Sequence, residues 1–264
     1  MTNVLTPRPA ATVLALRDGP LGYEVLMLRR NLNSEFAGGA YVFPGGGVDA
    51  SDGDESIQVL TFGADEQGTS KRLGVPSGGL AYYVACLREL FEEAGLLIAC
   101  RANGELVDLS DALTVQRLGA LRRQLNAGDL GFVDVLASED LVLDLRGLAY
   151  LAHWVTPVGP PRRYDTRFFV AFAPSDQTAA HDAGETIEDQ WLRPVDALSS
   201  FQRGDFDMTF PTVRTLQSIA NLENAHDVLD YANALERVAR IEPRIVKRGD
   251  RTQIVLPGDE GYDD

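Results

Sequence analysis

Arg88-Glu89-Leu90-Phe91-Glu92-Glu93-Ala94-Gly95-Leu96 is the stretch on which the reading of this chain turns. Its apolar residues continue a spacing that begins upstream. Val84, Leu87, Leu90, Phe91 and Ala94 recur at the three- and four-residue steps of an amphipathic helix over residues 81–94. Gly95 stands where a left-handed residue ends such a helix, and residues 96–100 read as a short buried strand. On that helix Glu89, Glu92 and Glu93 occupy positions i, i+3 and i+4, which stacks three carboxylates on one face. Like charges so placed repel by roughly 0.2–0.5 kcal/mol per pair, and the C-terminal end of the helix dipole disfavours anions as well. A hard divalent cation would offset both penalties, because Mg²⁺ takes carboxylate and water oxygens and then substrate phosphates. The competing reading is a solvated acidic face. Against it stands Arg88, beside Glu89 and four residues before Glu92, where a guanidinium can orient a carboxylate.

Upstream, residues 11–17 and 23–29 are β-prone runs joined by Asp18-Gly19-Pro20-Leu21-Gly22, a hairpin with a longer loop. Tyr41-Val42-Phe43-Pro44-Gly45-Gly46-Gly47 follows, with glycines that permit close backbone approaches. From about 49 to 79 the chain turns acidic and glycine-rich, and is expected to be a surface insertion, partly ordered at best and serving as a lid or rim. Downstream, helices are expected over 111–126 and within 131–143, and strands over 154–157, 167–173 and after Glu188. Further helices should start at Pro194 and cover 211–222 and 225–240, before a tail with a hairpin and an acidic, glycine-rich end. This alternation indicates an α/β fold with a mixed sheet.

With these elements in hand, the chain resembles the Nudix hydrolase family, whose box reads G-x5-E-x7-R-E-U-x-E-E-x-G-U with U aliphatic. The second half matches from Arg88 to Leu96. If Gly46 opens the box, Arg88 lies 42 positions later instead of 14, an excess of 28 residues that is about the size of the acidic insertion. Counted forward from Gly46, the first acid of the box falls on Asp52; counted back from Arg88, it falls on Leu80. An inserted box after a Phe-Pro-Gly-Gly turn is similar to the mitochondrial and peroxisomal coenzyme A diphosphatase branch and its bacterial relatives. That branch also carries R-S-x3-R-x3-G-x3-F-P-G-G upstream. Arg30, Gly39 and Phe43-Pro44-Gly45-Gly46 match it in register, while Asn31 and Glu35 replace its serine and second arginine.

The resemblance implies a Nudix-type α/β/α sandwich over residues 8–200, with insertions at about 49–79 and 105–152. Residues 201–264 would form a helical C-terminal extension with an acidic tail. It implies Mg²⁺ or Mn²⁺ bound by Glu89, Glu92 and Glu93, with the Gly45 carbonyl as a further ligand, and Arg88, Glu89 and Glu92 as catalytic residues. Some members place a glutamate base six residues before a strand tryptophan. That spacing selects Glu185 before Trp191, with Glu188 and Asp189 in competition. Arg30 is the first choice of substrate anchor, with Arg29, Arg162, Arg163 and Arg167 behind it and Gly45 and Gly46 lining the phosphate turn, since guanidinium forks suit phosphate oxygens.

Bulk properties narrow the partners. A net charge of −15 disfavours a general nucleic-acid binder. No run approaches the ~18 apolar residues of a membrane span, and no secretory signal is expected. Cys86 and Cys100 form no metal-binding spacing, which fits a reducing cytoplasmic setting. His153, His181 and His226 are scattered. The expected activity is hydrolysis of a small-molecule diphosphate, with coenzyme A or an acyl-coenzyme A leading, and a homodimer is compatible with it. ADP-ribose, dinucleotides or nucleoside triphosphates are the alternatives, as is an inactive ligand-sensing domain. Apolar residues between 131 and 152, among them Phe132, Val135, Leu136, Leu143 and Leu148, are expected either to line a groove for a pantetheine or acyl arm or to pack a helix on the sheet.

Overall fold

Period-two alternation in the first strands sets which residues face which layer. In β1 (Arg8–Gly19), Ala11, Val13 and Ala15 point into one core, and Leu14 and Leu16 into another. In β2 (Gly22–Arg30), Leu26 and Leu28 join the first core, and Val25 and Met27 the second. Both faces are therefore covered. The computed structural model describes residues 5–33, 37–248 and 251–262, so Glu35 lies outside the described residues.

After β3 (Tyr41–Val42) and β4 (Gly45–Gly47) come α1 (Glu55–Gln58), β5 (Thr61–Phe62), α2 (Glu66–Leu73) and the long α3 (Gly79–Ala94). Next are β6 (Ala99–Cys100), α4 (Ala112–Ala127), α5 (Phe132–Ser138), β7 (Val142–Asp144), β8 (Ala149–Val155), β9 (Tyr164–Phe172) and β10 (Thr186–Leu192). The chain ends with α6 (Pro194–Arg203), α7 (Phe210–Ile219), α8 (Ala225–Ala234), β11 (Arg240–Ile241) and the hairpin of β12 (Arg244–Arg248) and β13 (Arg251–Val255). The main sheet runs β10-β2-β1-β9-β8-β11, with β3 on β2 and β4 on β1. β1 is antiparallel to β2 and parallel to β9, which makes the sheet mixed, as expected. Helices α3, α4 and α5 cover one face and α6, α7 and α8 the other. Residues 201–264, expected as an extension, thus supply two helices that complete the sandwich.

β1 and β2 pair only near their hairpin, from Leu16↔Val25 to Gly19↔Gly22. Beyond it β4 pairs with Ala10, Ala11 and Thr12 of β1, while β3 pairs with Leu28 and Arg29 of β2. That arrangement brings the Phe43-Pro44-Gly45-Gly46 turn against the sheet and beneath α3. The strand expected over 96–100 shrinks to two residues because the Gln177 amide takes over the Leu97 backbone, accepting from its N–H at 2.8 Å and donating to its carbonyl at 2.9 Å.

One expectation is corrected here. The 49–79 segment packs into the core instead of forming a partly ordered lid or rim, and only its first residue, Asp49, lines the cavity in front of α3. Ile57 and Leu73 are buried in the first core, and β5 joins β7 and β6 in a small sheet. α2 also finishes α3: the Glu66 carboxylate accepts the Gly78 and Leu80 N–H groups at 2.6 and 3.0 Å, satisfying donors that a helix start leaves open. Arg72 donates to the Ala232 carbonyl at 2.9 Å, tying α2 to the end of α8. Composition misled because two well-placed apolar residues and a cap suffice to dock a polar segment. Of the two readings of residues 131–152, packing is the one found: Phe132, Val135, Leu136, Leu143 and Leu148 are buried in the first core, and none of them lines the cavity in front of the carboxylate helix.

A Cβ on Gly79 would run into the Ser70 backbone, which cannot yield as a side-chain end can. Gly79→Ala should therefore destabilise by about 1–3 kcal/mol, the usual cost of overpacking, even though alanine is the better helix former. Urea unfolding measures it; an unchanged midpoint would show that α2 is free to move away from α3. Among the described residues, no helix is long and apolar enough to cross a membrane.

Candidate active site

α3 carries the site because one of its faces is core and the other is charged. Leu87, Leu90, Phe91 and Ala94 are buried against the sheet, which turns Arg88, Glu89 and Glu92 toward the glycine turn. Gly95, at φ 71°, caps the helix through its N–H to the Phe91 carbonyl at 2.9 Å.

Arg88 is the hub. Its Nε and Nη2 grip Asp52 at 2.8 and 3.0 Å, Nη2 also reaches the Gly47 carbonyl at 2.9 Å, and Nη1 contacts Glu89 and Glu92 at 3.0 Å each. The forward count from Gly46 therefore finds the partner, Asp52, which is only 2% exposed. Its carboxylate also accepts the Asp49 N–H at 2.8 Å. Burial pulls the Arg88 pKa down, but the bonds to Asp52 and the charges of Glu89, Asp52 and Glu92 more than reverse it. Every guanidinium nitrogen of Arg88 is thus engaged inside the protein.

The carboxylates occupy unequal environments. Glu93 is 4% exposed, accepts the Gly45 N–H at 3.0 Å, and forms no ion pair among the described residues. Burial, then the charge of Glu89, pushes its carboxyl well above the usual carboxylate range. Burial likewise lifts Glu89 to about 7, against the attraction of Arg88. Glu92 is raised too, by burial first, and its ion pair with Arg88 works the other way. Part of the dipole penalty expected of this helix end is met by α4: Arg122 Nε and Asn126 Nδ2 donate to the Glu92 carbonyl at 2.9 and 3.1 Å. No sequence pattern pointed to Arg122.

The glycines of the turn are sterically required. A Cβ on Gly45 would lie 2.5 Å from the Ala11 carbonyl oxygen, and one on Gly46 would collide with the Glu89 carboxylate. Among the described residues no three His, Cys, Asp or Glu side chains stand close enough together to hold a metal ion, since Arg88 lies between Glu89 and Glu92. The donor set nonetheless fits a hard divalent cation: it offers only oxygens, and a buried carboxylate without an ion pair is costly unless a charge joins it.

A cavity of about 920 Å³ opens in front of this face. Arg30, Gly45, Gly46, Glu89, Glu92 and Glu185 line one end. Arg30 Nε is buried without a hydrogen-bond partner, and its Nη2 stands 4.0 Å from Glu185 Oε2. Arg29 is not among the lining residues; it packs toward Tyr41 and Glu188. Arg162 lines the cavity. Arg163 instead holds the Leu5 and Thr156 carbonyls at 2.6 and 3.0 Å, and Arg167 is buried with Asp165 and His153. Of the three acids proposed as base, only Glu185 reaches the cavity. Glu188 bonds the Tyr41 hydroxyl at 2.8 Å and Asp189 the His181 ring at 2.7 Å. Both cysteines are free and buried, and neither lines the cavity. Asn31, at the motif's serine position, lines it too; Tyr164, Phe210 and Ile254 also line it and were not anticipated, because they come from segments far apart in sequence.

Known proteins resemble this chain in sequence and fold. A curated relative, the acyl-coenzyme A diphosphatase NUDT19 of Gallus gallus, is 28% identical, the alignment covering 92% of this chain and 74% of that protein. The Homo sapiens protein of the same name is 27% identical over 97% of this chain and 76% of its own length. Among solved structures, a NUDIX hydrolase from Alicyclobacillus acidocaldarius superposes with a TM-score of 0.69 at 28% identity, covering 85% of this chain and 96% of that one. The family model described as the NUDT19 Nudix domain matches residues 53–219, more than half of the chain and all of the carboxylate helix. A buried arginine hub, a glycine turn closed on a carboxylate helix, and this match together make the chain a member of the NUDT19 Nudix domain family, and so a Nudix hydrolase of diphosphate linkages.

Proposed function

We propose that this hydrolase acts on coenzyme A species, acyl-coenzyme A foremost, and that Glu89, Glu92 and Glu93 bind its divalent cation, Mg²⁺ or Mn²⁺. The observation that carries the substrate reading is the continuity of the cavity. Its carboxylate end runs without a break into an end walled by Trp154, Phe168 and Phe210. An elongated molecule with a diphosphate in its middle and an apolar arm matches such a space, and the curated relatives bear the name acyl-coenzyme A diphosphatase.

The chemistry that a divalent cation supplies when bound is neutralisation of the diphosphate charge and a lower pKa for the attacking water. Arg30 anchors phosphate oxygens at the cavity wall, where its unpartnered Nε gains an acceptor. Glu185, exposed at the rim, takes the proton of the water whose oxygen attacks phosphorus. The P–O–P bond then breaks, and two phosphorylated products leave. Arg88 acts through others, holding Glu89, Glu92 and the Gly47 carbonyl in place.

The test is kcat/KM for coenzyme A, a medium-chain acyl-coenzyme A, ADP-ribose, NADH, a diadenosine polyphosphate and nucleoside triphosphates under one metal condition. Coenzyme A species should lead, and chelation should abolish turnover. Removing the pantetheine arm should cost heavily, since remote binding energy is expressed in the rate. ADP-ribose turned over tenfold faster than both coenzyme A species would overturn the substrate reading. Arg30→Ala should lower kcat/KM by roughly tenfold to a hundredfold, the loss of one charge-assisted hydrogen bond; an unchanged value would remove it as the anchor.

A further inference from the structure

The end of the cavity away from the carboxylates is built from three distant parts of the chain. Trp154 and Val155 finish β8, Phe210 and Pro211 begin α7, and Pro243 and Ile254 belong to the C-terminal segment. Trp154 and Phe210 meet edge to face with centroids 5.9 Å apart. The indole Nε1 donates to Thr215 Oγ1 at 3.2 Å, so its polar atom is spent inside the core and its remaining surface is apolar. The other mouth is different: Asn31, Asn33 and Gly184 line it, and Asn31 Nδ2 already donates to the Gly184 carbonyl at 3.1 Å. One mouth suits a hydrogen-bonding nucleotide, the other an aliphatic chain.

The hairpin has the features of a wall for that chain. Ile245 and Ile254 are Cα partners across β12 and β13, so both side chains leave the same face of the ribbon. They are 46% and 44% exposed. An isolated two-stranded hairpin is marginal in water, and this one is moored rather than free. Val255 is buried, Leu256 packs against the second core, and the Tyr262 hydroxyl donates to the Glu242 carbonyl at 2.7 Å. Two adjoining exposed isoleucines on a moored ribbon, one of them in the cavity wall, offer apolar surface for a ligand to cover.

We infer that the apolar end of the cavity binds the acyl arm of the thioester substrate, and that Ile254, with Ile245 beside it, sets the preferred chain length. This rests on the acyl-coenzyme A reading. The hairpin lies beyond residue 219, the last residue matched by the family model.

The experiment measures kcat/KM for coenzyme A and its acetyl, octanoyl and palmitoyl thioesters with the full chain, Ile254→Asp and Ile254→Ala. Val195→Asp serves as the control, an exposed apolar residue on α6 outside the cavity. The octanoyl-to-free coenzyme A ratio should fall by roughly tenfold in Ile254→Asp, the scale that one or two methylenes carry in an apolar pocket. It should fall less in Ile254→Ala and not at all in the control. A ratio unchanged in both Ile254 variants while the parent protein hydrolyses coenzyme A species would overturn the acyl-arm site and leave the substrate reading standing. A parent protein that hydrolyses ADP-ribose but no coenzyme A species would overturn both.

Discussion

Glu93→Gln should give a folded protein whose kcat has fallen by at least ~100-fold, the scale lost with a major electrostatic element of a hydrolytic site. Glutamine is isosteric and keeps an oxygen for the Gly45 N–H, which now bonds the carboxylate at 3.0 Å. Glu93 is buried and has no ion pair among the described residues, so removing its charge relieves desolvation and should not lower the melting temperature. What disappears is one of the three carboxylates proposed to bind the cation. Turnover at saturating Mg²⁺ or Mn²⁺, the melting temperature and a cation titration followed by calorimetry separate these effects. Retained turnover in the folded variant would remove Glu93 from the metal site.

Arg88→Met should cost about 3–5 kcal/mol of stability, because it leaves a buried carboxylate, Asp52, without its counter-ion. The same change frees Glu89, Glu92 and the Gly47 carbonyl, so turnover should collapse as well. Urea unfolding gives the first quantity. The double variant Arg88→Met/Asp52→Asn should regain about 1 kcal/mol or more, since the stranded charge is gone. If Arg88→Met costs less than 1 kcal/mol, or the second substitution recovers nothing, Asp52 and Arg88 are not the coupled pair that their geometry indicates.

What was legible in the sequence is what a few neighbouring residues encode. The apolar spacing of 81–94 dictates one buried face of a helix, and Glu89, Glu92 and Glu93 then share the other side through the 3.6-residue turn alone. Gly95 ends that helix for a local reason, its left-handed backbone. Alternation in β1 and β2 likewise announces two covered faces. The rest depends on which distant surfaces bury one another. Arg29 and Arg30 are adjacent, so they point to opposite faces of the sheet, and only the assembled sheet shows that Arg30 meets the cavity. Glu185, Glu188 and Asp189 were inseparable on spacing. An irregularity between Thr186 and Glu188 shifts the β10 register, so that Glu188 faces Arg29 and Tyr41 while Glu185 remains at the rim. The apolar residues of 131–152 suited a groove and a core equally, and packing against α3 assigned them to the core. Ile254 and Phe210 carry no local mark of a site at all. Periodicity is written within one turn or two strand residues, whereas a cavity belongs to no segment and exists only where separate elements stop short of one another.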